Sequence, residues 1–352
     1  MAVDPPSTVQ EWARWQARFA RALGETATQQ PVPVGPTPCE TVWQAGRARL
    51  YRYAPEAPAD APETAPVLIV YSLVNRPFIL DLTEERSLVR ALRDAGRTVY
   101  LLDWGSPVGA DRFLTLEDHI DGFLDDAVGH IRDHEEGRAP DLVGVCQGGI
   151  FALLYAALHP DRVRRLAVLV TPVDFGTEHD TLAHLARGVD FDQVARAFGN
   201  VSAFWLNTVF VSLKPYRLLS ERYMDLPELA ENPEGLQEFL RMERWMYDSP
   251  DQPGAAFAQF ARDFYQRNAL HRGELKLGDR TVRLEDVQAP VLSIYAERDH
   301  LVPPDSARAL AEHLPPERFE QHAFAGGHLG VFISRRARRE VFPRISTWLN
   351  PC

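Results

Sequence analysis

The chain has 352 residues, enough for one large α/β domain with an insertion or for two domains, and its 45% apolar and 25% charged content is ordinary for a globular protein. A formal net charge of -11 weighs against a nucleic-acid partner, and an anionic substrate would need a local basic patch working against the global field. The three cysteines, Cys39, Cys146 and Cys352, are odd in number and far apart, so they suggest neither a disulfide framework nor a zinc site, and a reducing compartment fits.

Met1-Ala2-Val3-Asp4-Pro5-Pro6 has neither the basic nor the apolar region of a signal peptide. No apolar run approaches the ~20 residues needed to cross a bilayer. The expectation is a cytoplasmic protein with no transmembrane segment. Ser7-Thr8 can cap a helix carrying Trp12, Trp15, Phe19 and Leu23 on one stripe, which either packs on its own domain or docks a partner. The proline-rich residues Gln30 to Pro38 end it. Thr41 to Trp43 and Ala48 to Tyr53 read as antiparallel strands, and Ala54 to Pro66 as an exposed loop. Val67 to Tyr71 is a continuous apolar run, the mark of a strand buried on both faces. A helix over Ser87 to Ala95, a buried strand over Thr98 to Leu102 and a helix over Leu116 to Asp133 follow.

The chain is organised around Leu142-Val143-Gly144-Val145-Cys146-Gln147-Gly148-Gly149-Ile150. Branched apolar residues lead into Gly-x-Cys-x-Gly, and Phe151 to Leu158 continue as a helix. This is the nucleophile-elbow pattern of the α/β-hydrolase architecture, with cysteine where serine usually stands. Gly144 and Gly148 fit because a sharp strand-to-helix turn crowds the backbone. A strand over Leu166 to Val170 comes next. Strands alternating with helices at this spacing predict an α/β-hydrolase fold with a mostly parallel central sheet covered by helices on both faces. From Phe175 to about Val282 the buried strands give way to helical, aromatic sequence, placed where a lid would cover the C-terminal edge of the sheet. The α/β pattern resumes at Pro290 to Tyr295, and a last helix is expected from about Arg336 to Leu349. The division expected is an N-terminal helix and linker over 1–36, a core over 37–174 and 284–352, and a helical cap over 175–283.

A thiol of ordinary pKa is only a few per cent thiolate at pH 7, so a cysteine nucleophile needs a base, and the base an orienting acid. In this architecture the chain order is nucleophile, acid, histidine. Cys146 is followed by Asp299, just past the strand ending near Tyr295, and by His328, in the glycine-rich Gly326-Gly327-His328-Leu329-Gly330 before the last helix. Asp305 is read as capping a helix that starts at Ser306, and His300 and His322 as polar loop neighbours. The oxyanion hole expected is the backbone amide of Gln147 with one from Ser72-Leu73-Val74-Asn75, Val74 being favoured.

Six stretches in order resemble polyhydroxyalkanoate synthases: Leu73 to Leu82, Val99 to Gly105, Gly144 to Gly149, Glu243 to Asp251, Asp299 to Pro304 and Gly326 to Gly330. The resemblance covers about Thr37 to Leu349, and the short length looks like the class III catalytic subunit. It implies polymerisation of (R)-3-hydroxyacyl-CoA, most simply 3-hydroxybutyryl-CoA, through an acyl-cysteine, with CoA as leaving group and neither cofactor nor metal. It implies a non-catalytic second subunit, a homo-oligomer, and a growing polyester chain at a granule surface. Class IV synthases, with a different small partner, remain open, as do an esterase, thioesterase or depolymerase on the same three residues. Arg76, Arg112 and Arg217 are each a candidate for a CoA phosphate and equally a solvated surface arginine.

Overall fold

In the computed structural model, which describes residues 8–28, 32–55 and 64–350 without the side chains of residues 25, 27, 28, 217–219 and 222, the apolar runs of the sequence become one eight-stranded sheet. Its strands are β1 (Glu40–Ala45), β2 (Ala48–Tyr53), β3 (Val67–Val70), β4 (Val99–Asp103), β5 (Asp141–Val145), β6 (Leu166–Leu169), β7 (Val291–Ala296) and β8 (Phe319–Phe324). They lie in the order β1-β2-β4-β3-β5-β6-β7-β8. The β1–β2 and β2–β4 pairs are antiparallel, and every pair from β4 to β8 is parallel. This is the α/β-hydrolase arrangement expected. Most of the predicted loop after β2 lies outside the described residues.

Strands β3, β5 and β6 are buried along their whole length, because helices cover both faces of a parallel sheet. The helix after the elbow, Gln147–Leu158, has Ile150, Phe151, Leu153 and Leu154 fully buried. Each contributes about 1.5–3 kcal/mol by burial. Such a helix is apolar all round, so its place in the centre follows from its sequence. The expected helix over Leu116 to Asp133 is divided between a π-helical turn at Asp118–Phe123 and an α-helix at Leu124–His134. The last helix runs Arg335–Leu349, capped by Ser334, whose hydroxyl accepts from the Ala337 amide at 3.0 Å. Its far end is tied to the start of β5. Arg97 and Arg164 both donate to the Leu349 carbonyl, at 3.1 and 2.5 Å, and both pair with the fully buried Asp141.

The chain divides into two units. The first comprises the described residues of 1–34 and 203–249. In it the helix Val9–Thr28 begins with a reciprocal cap, the Thr8 amide donating to Glu11 and the Glu11 amide to the Thr8 hydroxyl. Ser7 lies outside the described residues. Ala22 and Phe19 pack with Leu226, Leu236 and Tyr223, and Arg18 pairs with Glu228 and Glu231, so the stripe docks on its own unit while Trp12 stays 43% exposed.

The second unit, 35–202 with 250–352, holds the whole sheet. It also holds both ends of the segment read as the cap. Phe175, Phe260 and Phe264 are buried in the same core as β3 and the helix Gln147–Leu158, their rings 4.4 to 6.1 Å apart. Aromatic composition marks where the buried strands stop, but these rings pack as core.

Candidate active site

Cys146 occupies the single position between β5 and the helix Gln147–Leu158, with φ 54 and ψ -121. A positive φ at a non-glycine residue costs on the order of 1–3 kcal/mol, and the surrounding structure must impose it. The Cys146 amide donates to the Leu169 carbonyl at 2.8 Å, and its own carbonyl accepts from the Gly149 amide at 3.0 Å. The turn closes because Gly144 and Gly148 leave room. A Cβ on Gly144 would stand 2.5 Å from the Gly149 Cα, and one on Gly148 would stand 2.6 Å from the Tyr71 carbonyl carbon. The next strand is strained beside it. The sequence extends that strand through Val170, but β6 ends at Leu169 and Val170 turns to φ 45 while fully buried. Its amide donates to the Ile294 carbonyl at 2.8 Å, which pins the turn to β7.

Asp299 follows β7, and its Oδ1 accepts from the amides of Leu301 and Val302 at 2.9 and 3.0 Å. Its Oδ2 accepts from His328 Nδ1 at 2.7 Å. The loops carrying the two residues are laced together by their backbones, Glu297 donating to Phe324 at 2.9 Å and Arg298 to Gly326 at 2.8 Å. With Nδ1 given to the carboxylate, Nε2 is the nitrogen left for Cys146. Burial by itself pushes the imidazole pKa down. The charges of Asp299 and Cys146 and hydrogen bonds to both outweigh it, and the pKa is pushed up to about 10. Cys146, Asp299 and His328, far apart in the chain, therefore meet in one unit.

A raised folded-state pKa adds stability that is complete below the ordinary histidine value and lost as pH rises through the folded one. The contribution of His328 should therefore decline between about pH 6.5 and about pH 10. Asp299→Asn and Cys146→Ala each remove a raising influence, so both should lower the His328 midpoint in an NMR titration. An unmoved midpoint in Asp299→Asn would contradict the geometry.

The loop after β3 is held by side chains. The Leu73 amide donates to Gln147 Oε1 at 3.0 Å, its carbonyl accepts from Gln252 Nε2 at 2.5 Å, and Trp104 Nε1 donates to the Tyr71 carbonyl at 2.8 Å. Among the described residues no acceptor engages the amide of Val74, the next residue along. Gln252 is absent from the sequence reading, and Tyr265 enters it only as one ring of the aromatic segment. Burial, and then the charges of Asp180 and Cys146, push the Tyr265 phenol well above its ordinary value. Neither residue lies in a motif of fixed spacing, so no local signal marks them.

The other candidates fall elsewhere. Asp305 lies inside the first turn of the helix Pro304–Arg308, whose N-cap is Pro303, so the capping role read for it does not hold. Pro303, which cannot itself donate a hydrogen bond, leads the chain into that turn instead. His322 is on β8 rather than in a loop. Arg76 donates to the Ser106 hydroxyl at 2.6 Å, and Arg112 lies 4.6 Å from the Phe113 ring centre. The Arg217 side chain and Cys352 lie outside the described residues, and Cys39 is a free, exposed thiol.

Residues 65–334 match the family model described as the alpha/beta hydrolase fold. The chain is 42% identical to the poly(3-hydroxyalkanoate) polymerase subunit PhaC of Allochromatium vinosum, over 99% of this chain and 98% of that protein. It is 44% identical to the subunit of the same name from Synechocystis sp., over 92% of this chain and 86% of that one. The chain belongs to the poly(3-hydroxyalkanoate) polymerase family. As a poly(3-hydroxyalkanoate) polymerase family member it shares its fold with more distant proteins. An alpha/beta hydrolase fold protein from Chitinophaga pinensis superposes with TM-score 0.52 at 13% identity, over 90% of this chain and 99% of that one. A thermophilic esterase from Thermogutta terrifontis superposes with TM-score 0.50 at 17% identity, over 91% and 98%. These two likenesses speak for the fold alone. Among the described residues of this polymerase family member, no helix is long and apolar enough to cross a membrane.

Proposed function

We propose that this chain polymerises (R)-3-hydroxyacyl-CoA, with 3-hydroxybutyryl-CoA as the expected monomer, into polyester with release of CoA. The observation that carries the reading is the strained Cys146 at the elbow beside a buried Asp299–His328 pair, in a chain whose relatives are named polymerases. His328 Nε2 takes the thiol proton, and the Cys146 thiolate attacks the thioester carbonyl. The amides of Gln147 and Val74 meet the oxyanion that forms. The carbon–sulfur bond to CoA then breaks, and the departing thiolate takes the proton back from His328. Exchanging one thioester for another is close to even in free energy, so the acyl group stays activated. A hydroxyl from a second monomer or chain end next gives its proton to His328 and attacks the acyl-cysteine. An ester bond forms and the Cys146 thiol returns.

We give the second deprotonation to His328 rather than to Asp299. The Asp299 side chain is 1% exposed and already accepts three hydrogen bonds, so burial and its existing partners keep it from an incoming hydroxyl. Water would hydrolyse the same acyl-enzyme, so polymerisation needs a dry site. To the packed rings of Phe175, Phe260, Phe264 and Tyr265, the last near enough to Cys146 to feel its charge, we assign that exclusion. We further propose that the chain works at the surface of a polyester granule, as a homo-oligomer with a non-catalytic second subunit of the class III kind. The word subunit in the relatives' names supports a multi-subunit enzyme.

The test is product analysis with (R)-3-hydroxybutyryl-CoA, for the chain alone and with a candidate second subunit. Polymer, made faster with the partner, is the expected result. Free 3-hydroxybutyrate as the sole product would replace the polymerase reading by a thioesterase on the same residues.

A further inference from the structure

We propose that Gln252 is a positioning residue for acyl transfer, one that sets the loop from which Val74 presents its amide to the oxyanion. The inference rests on the reading of Cys146 as nucleophile with Val74 and Gln147 as oxyanion donors.

The peptide groups of Leu73 are held from two sides by glutamine side chains of opposite hydrogen-bonding sense. Gln147, the residue after the nucleophile, accepts from the Leu73 amide at 3.0 Å. Gln252 donates to the Leu73 carbonyl at 2.5 Å. That carbonyl and the Val74 amide belong to one planar peptide unit, so whatever fixes the carbonyl fixes the direction of the amide proton. A donor pulling on the Leu73 oxygen also polarises that peptide, which makes its N–H a better donor. Gln252 thus acts on the Val74 amide through a single rigid group.

Gln252 is built to hold still. It is 3% exposed. Its backbone forms a reciprocal pair with Val201, each amide donating to the other's carbonyl at 2.8 Å. Pro253 follows and fixes the chain as it enters the helix Gly254–Phe260. A buried side chain on a doubly bonded backbone has little freedom to lose when the oxyanion forms, which is the condition for a preorganised donor.

The role requires a donor at position 252. Gln252→Glu keeps the shape but presents a carboxylate, and Gln252→Met keeps the length without hydrogen bonding. The experiment compares two reactions of Cys146 in the full-length protein. CoA release from (R)-3-hydroxybutyryl-CoA passes through an oxyanion. Alkylation of the thiolate by iodoacetamide, in which iodide is displaced from carbon, does not. The expected result is a loss of CoA release of roughly 10- to 100-fold in kcat, smaller than deletion of an oxyanion donor itself. The KM for the acyl-CoA and the alkylation rate of Cys146 should not change. A parallel fall of both reactions would show that Gln252 merely supports the elbow, and undiminished CoA release would remove it from catalysis. Either outcome overturns the proposal, as would failure of both variants to fold. Cys146→Ala run alongside tests the underlying reading separately. CoA release that survives in it would overturn the nucleophile assignment, whereas its loss with unaffected Gln252 variants would sink this inference alone.

Discussion

Cys146→Ala should abolish acyl transfer, lowering CoA release by on the order of 10^4-fold or more, as removal of a nucleophile does in enzymes whose residues act as a unit. The variant should fold, since alanine is smaller and the positive φ at 146 is already imposed by the bonds to Leu169 and Gly149. His328→Gln should cost nearly as much, because a thiol without its base is mostly protonated. The double variant should be no worse than either single one. Asp299→Asn should cost less. It leaves the imidazole in place but removes the charge that raises it and disturbs the tautomer that the 2.7 Å bond enforces. Losses that simply multiply across these variants would mean that the three residues do not act together. Single-turnover CoA release for the set decides the point.

Asp141→Asn should be the most destabilising single change of a polar residue, by about 3–5 kcal/mol, without touching the chemistry. Asp141 is fully buried at the start of β5, the opposite end of that strand from Cys146, and it faces Arg97 at 1% exposure. Burial is the largest influence on both, raising the carboxyl pKa and lowering that of the guanidinium, and their mutual attraction does not fully offset it. Such a pair adds little over an apolar replacement of both partners, yet breaking it strands a buried charge. Because Arg97 and Arg164 also hold the Leu349 carbonyl, the loss should reach the last helix. Thermal unfolding should shift down by several degrees, with kcat retained below the transition. An unchanged melting temperature would refute the accounting.

The local sequence was sufficient for what depends on neighbouring residues. Continuous apolar runs specify strands buried on both faces, so β3 to β7 are legible in order. Gly144 and Gly148 around Cys146 specify the elbow because the backbone contacts they avoid lie within the turn and on the adjoining strand. The glycine-rich loop of His328 and the strand-end position of Asp299 could be picked out in the required order, and in the structure Asp299 meets His328, which in turn meets Cys146.

Only the tertiary structure decided the rest, and the reason is the same in each case: the partners are remote in the chain. The segments 175–202 and 250–283 join the sheet unit, since Phe175, Phe260 and Phe264 are core rings, whereas composition registers only that they are aromatic. The end of β6 at Leu169 follows from a bond to Ile294, more than a hundred residues on, and no feature of Val170 itself announces it. Gln252 reaches Leu73 across 179 residues and bears no motif. Short-range pattern encodes which chemistry the chain carries, because strands, turns and their glycines are local. The placement of a buried polar group depends on the single partner that satisfies it, and that partner is known only once the chain has folded.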